Sequence, residues 1–96
     1  MTEQEQIQTR GRMAILMDSI KAAGRERDNL LRPARDRIKR ALPEDRFPPD
    51  VPNALDMPAL REELDAVERA ETRLDEMVRE YNNLASGIGK PLLKRG

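Results

Sequence analysis

Apolar residues return at alternating intervals of three and four along two stretches of this chain, and a proline-rich stretch separates them. The second stretch carries Met57, Leu60, Leu64, Val67, Glu71, Leu74, Val78, Tyr81, Ala85 and Ile88. The first carries Met13, Met17, Ile20, Gly24, Arg27, Leu31, Ala34, Ile38 and Ala41. A repeat of about 3.5 residues held this long predicts a coiled-coil seam on each of two helices. Between them, Pro43, Pro48, Pro49 and Pro52 fall within residues 43–56. Proline lacks the N–H donor and forces its predecessor toward extended geometry, so no helix crosses this corner. The expected fold is all-α: one domain spanning residues 1–96, an antiparallel helical hairpin. Helix 1 is expected over about 3–42, with a kink near Pro33, and the loop over 43–56. Helix 2 is expected over about 57–86, with Asp56 as its N-cap and Pro58 in its first turn, followed by a basic tail over 87–96.

Folding the chain at the prolines pairs residues whose numbers sum to 98. Ala41 then meets Met57, Ile38 meets Leu60, Leu31 meets Val67, Ile20 meets Val78, Met17 meets Tyr81 and Met13 meets Ala85. One layer is charged on both sides: Arg27 lies opposite Glu71, and these are the only charged residues inside the two seams from Met13 to Ala85. The pattern predicts an inter-helix ion pair that fixes register; a polar site between the helices is the alternative. Gly24, opposite Leu74, is expected to admit a bulky neighbour. Charge supports the same pairing, because Ile7–Leu42 holds ten basic and four acidic residues while Met57–Ser86 holds four basic and eight acidic. A basic helix beside an acidic one is favoured over like beside like.

A second apolar series flanks the seam. Leu16, Ala23 and Leu30 recur every seven residues on helix 1, and Ala70, Met77 and Leu84 do so on helix 2. An apolar strip of this length is expected to be an association surface, and the simplest solution is a homodimer packed as a four-helix bundle. The alternatives are a strip that merely widens the intramolecular core, or a tail that folds over it through Leu92 and Leu93. Residues Thr2–Gly11 would project beyond the partner helix.

Composition narrows the function. The 96 residues contain no Cys and no His, which removes the usual thiol nucleophile, general base and zinc ligands. The carboxylates of helix 2 are spread around an exposed face, so no metal and no cofactor is expected. Ser86-Gly87-Ile88-Gly89-Lys90 lacks the length and the closing Ser/Thr of a phosphate-binding loop. No apolar run approaches the ~20 residues that span a bilayer, and a cytoplasmic location without membrane contact is expected. Fourteen Arg against four Lys suggest a bacterial or phage origin.

Arg32, Arg35, Arg37, Lys39 and Arg40 form a basic patch, the best case for a nucleic-acid contact. The chain's zero net charge and the scarcity of aromatics to stack on bases argue against it. Phe47, the only Phe, stands among the corner prolines either as a plug on the end of the seam or as a loop anchor for a partner. The expected function is a non-enzymatic protein–protein interaction module, such as a small adaptor, assembly or chaperone-like protein. The alternative is a nucleic-acid-associated regulator using the basic face of helix 1.

Overall fold

Thr2 begins the first helix by accepting a hydrogen bond on its hydroxyl from the Glu5 backbone N–H at 3.2 Å. Glu3 and Glu5 occupy the first turn, and Lys39 and Arg40 the last, so both ends carry charge of the sign the helix dipole favours. A computed structural model describes residues 2–42 and 51–96, and its helices are α1 (Glu3–Ala41) and α2 (Met57–Gly87). Asp56 caps α2, its carboxylate accepting from the Ala59 backbone N–H at 3.1 Å, with Pro58 in the first turn. At the corner the Asn53 side-chain amide donates to the Arg40 carbonyl at 3.0 Å, giving one orphan carbonyl of the α1 terminus a partner.

The two helices pack against each other, and no strand occurs among the described residues. The chain extends 72 × 22 × 15 Å with a radius of gyration of 20.2 Å. A globular chain of this length has a radius of gyration of about 12–13 Å, so this is a rod. α1 stays helical through Pro33. Proline deprives the Asn29 carbonyl of its helical donor, but Asn29 and Pro33 both lie on the exposed side, where that loss is least costly.

The core is thin. Its buried residues are Met13, Ala23, Ala34, Leu60, Leu74 and Ala85, of which all but Ala23 belong to the seam. Gly24 does not fit the role expected of it. A Cβ added there would meet no atom of another element within 4 Å, so room for Leu74 does not require glycine. The seam is also uneven along its length. Toward the corner Ile38, Met57 and Leu64 are 40–43% exposed, although Ala34 and Leu60 beside them are buried. Away from it, Leu74 is 4% exposed and Ala85 fully enclosed.

After α2 the chain reverses. Gly89 adopts φ +69°, a left-handed conformation that favours glycine, and the Lys90 N–H donates to the Ala85 carbonyl at 2.9 Å. The segment that follows runs back along α2 toward the middle of the rod.

Candidate interaction surfaces

Two faces flank the seam, and they are built differently. The first contains the heptad series Leu16, Ala23, Leu30 and Ala70, Met77, Leu84. Ala23 is buried, and the other five are half-buried. The series thus widens the intramolecular core and still presents apolar surface. Between Ala23 and Leu30 on α1 and Ala66 and Ala70 on α2 lies a shallow groove of about 250 Å³, rimmed by Glu26, Arg69 and Arg73. The small side chains leave the hollow. The larger ones, Leu16, Met77 and Leu84, stand farther along the same face.

A charged layer closes this series at its corner end. Arg37 follows Leu30 by seven residues and Glu63 precedes Ala70 by seven. The Arg37 Nε donates to Glu63 Oε1 at 2.6 Å, with Glu63 largely enclosed. The other Glu63 oxygen, Oε2, is enclosed and receives no hydrogen bond from the described residues. Arg37 therefore turns into the helix–helix contact. Of the other basic residues grouped with it, Arg32, Arg35, Lys39 and Arg40 are exposed. Arg35 is engaged by Asp36 at 3.3 Å, and Arg40 donates to the Asp36 carbonyl at 3.2 Å. The cluster is contiguous in sequence but divided in space.

The second face holds the charged layer of the seam and the returning tail. Arg27 Nη1 donates to Glu71 Oε1 at 2.7 Å, and its Nε donates to the neighbouring Asp28 at 2.9 Å. Arg95 joins them: its Nη2 lies 2.9 Å from each Glu71 oxygen, and its Nη1 bonds Asp75. The hydrogen bond from Arg95, reinforced by the positive charges of Arg95 and Arg27, holds the Glu71 carboxyl below its usual range, against a smaller opposing effect of burial. The same carboxylates push the Arg95 guanidinium further up. All three partners remain partly exposed to solvent.

Farther along the tail, the Asn82 side chain grips the backbone of Leu93 at two points. Its carbonyl accepts from the Leu93 N–H at 2.8 Å, and its amide donates to the Leu93 carbonyl at 3.0 Å. Lys90, Pro91, Leu92 and Leu93 line a groove with Arg10, Met13, Ala14, Met17 and Tyr81. The tail thus lies on the flank opposite the Ala70–Met77–Leu84 series and does not cover that series.

Asn82 and Arg95 escaped notice in the sequence because each looks ordinary by itself. The available signal was Asn82, an uncharged polar residue directly beside the seam residue Tyr81. The Arg37–Glu63 layer was also accessible, since both residues continue the seven-residue series. Phe47 lies outside the described residues. Among those residues, no group of three or more His, Cys, Asp or Glu is placed to hold a metal ion, and no helix is long and apolar enough to cross a membrane. No protein-family model, curated protein or solved structure matches the sequence.

Proposed function

We propose that the chain is a non-enzymatic protein-binding module of the adaptor, assembly or chaperone-like kind, working in the cytoplasm as a homodimer. The observation that carries this is the flank that the tail does not cover. Its apolar series runs along both helices, and the returning tail lies on the other side. The core takes in Ala23 while leaving the other five residues of the series only half-buried.

The flank also complements itself. One half holds the hollow among Ala23, Leu30, Ala66 and Ala70, and the other carries the larger, half-buried side chains of Leu16, Met77 and Leu84. A twofold axis through its middle sets the larger side chains of one copy against the hollow of the other, which is the isologous arrangement a closed dimer needs. Alternating large and small side chains across the contact is also how helices interdigitate in bundles. Two hairpins then form a four-helix bundle, and the outer helix faces remain available to a protein partner.

Light scattering across a concentration series tests the dimer. The expected mass is twice that of one chain, falling to that of one chain for Ala70→Glu, which sets a charge in the hollow. Helix content by circular dichroism checks that the variant folds. Met77→Lys in the other half should act alike. A wild-type mass of one chain at every concentration overturns the dimer.

A further inference from the structure

The tail face is one trough, of which residues 90–96 fill only part. Its floor on α1 is the seven-residue series Arg10, Met17, Gly24, Leu31, Ile38, and on α2 the series Leu64, Glu71, Val78. The tail borders a groove with Met17 and Tyr81 and reaches Glu71 with Arg95. Beyond that point the same two series continue without it. Among the described residues, Leu31, Ala34, Ile38, Leu42 and Leu64 surround an open groove of about 620 Å³ with Arg35 and Lys39 at its edge.

The way the tail is held matters here. The two bonds from Asn82 go to the backbone at Leu93, so they do not depend on the side chain there. Pro91, Leu92 and Leu93 border a groove whose other walls are Met13, Ala14, Met17 and Tyr81, and Arg95, two residues beyond Leu93, meets two carboxylates. A backbone clamp, an apolar bed and an acidic socket are how grooves bind extended peptides. None of these contacts needs the segment to be joined to Gly89. An open apolar groove continuous with an occupied one extends the same contact surface.

We propose that this trough is a docking groove for an extended segment of a partner protein. That segment bears an apolar residue two positions before an arginine and further apolar residues after it, and the chain's own tail is a stand-in which the partner displaces. Tethering gives residues 90–96 a high effective concentration, so a competitor needs contacts beyond those that these residues make. The open half supplies them. This deepens the protein-binding reading above and uses the face opposite the proposed dimer contact. Ala70→Glu therefore bears only on the dimer, and the variants below bear only on the groove.

The test uses the full chain and two synthetic peptides: Lys-Pro-Leu-Leu-Lys-Arg-Gly, and the same sequence extended by Ala-Leu-Leu-Ala. Tyr81, the only tyrosine in a chain without tryptophan, lines the groove that the tail borders, so its fluorescence reports on that groove. Arg95→Glu frees the tail by setting it against Glu71 and Asp75. The short peptide is expected to bind this variant at least about tenfold more tightly than the wild type, because the tethered competitor is gone. The extended peptide is expected to outbind the short one on both chains, and Leu64→Glu is expected to abolish that advantage while sparing the short peptide. Equal affinity of the short peptide for wild type and Arg95→Glu overturns the proposal, as does no binding to either. So does a doubled mass that Asn82→Ala abolishes, since the occupant is then the tail of a second copy.

Discussion

The two halves of the tail face are made from the same helices, the same repeat and nearly the same residue types, yet they differ in what covers them. In the half away from the corner, Met13, Leu74 and Ala85 are buried, and the tail borders a groove with Met17 and Tyr81. In the corner half Ala34 and Leu60, seven-residue equivalents of Met13 and Leu74, are buried too. But Ile38, in the series of Met17, and Met57 and Leu64, in the series of Ala85, remain exposed. Periodicity places a residue on the seam but does not enclose it. Two helices bury one stripe between them, and only a third element removes the flanks from water. Among the described residues, 90–96 supply that third element for one half alone.

This contrast sets the largest expected effect. Replacing Leu74 by Ala empties an enclosed site and should cost about 2–5 kcal/mol. Leu64→Ala removes the same atoms from a position 43% exposed, where less area is withdrawn from water, and should cost under about 1 kcal/mol. Urea denaturation at fixed protein concentration measures both. Similar losses at the two positions would mean that the corner half is covered in solution by something the tail does not supply.

A smaller effect belongs to the charged layer that divides the two halves. Full burial of Arg27 and Glu71 would make loss of one partner severe, but their side chains are 31% and 37% exposed. Screening by solvent then brings their coupling down to about 1 kcal/mol or less. In the cycle Arg27→Leu, Glu71→Leu and the double variant, the double variant is expected to melt no lower than the less stable single one. Glu71→Leu should be that less stable variant, because it strips a partner from Arg95 as well as from Arg27. Strictly additive losses would show that the layer is not a coupled pair.

How much of this was legible in the sequence follows from the range of each interaction. The two helices, the capping by Asp56 and the opposition of Arg27 to Glu71 follow from spacing alone, because helix geometry turns spacing into direction. The same rule contained the Arg37–Glu63 layer, which went unread because Arg37 stands within a run of basic residues that looks like a patch. The path of the tail was not legible. It depends on the single reversal at Gly89 and on two polar side chains, Asn82 and Arg95, whose partners are 11 and 24 residues away. No periodicity links such positions. The strip presents an intermediate case: its alignment followed from the heptads, but which flank the tail would take did not.

The subtlest test separates the two halves by pH. Glu71 is held below its usual range in the folded chain, chiefly by the hydrogen bond from Arg95. A carboxyl depressed in this way stabilises the folded form fully above its unfolded value, near 4.5, and loses that contribution as pH falls through the lower folded value. Protonation weakens the anchor on Arg95, so the tail should begin to release there while Leu60 and Ala34 of the corner seam, which no tail covers, stay packed. Asp75 also holds Arg95, and Asp28 shares Arg27. Glu71→Gln is therefore the control that isolates one carboxyl. Tyr81 fluorescence and the amide exchange of Leu93 follow the tail, and circular dichroism follows the helices. The wild type should show an acid transition in the tail signals with a midpoint below 4.5, absent from Glu71→Gln, before helix content falls. An identical transition in both chains would remove Glu71 from the anchor. Simultaneous loss of tail and helix signals would mean that the covered and open halves melt as one unit.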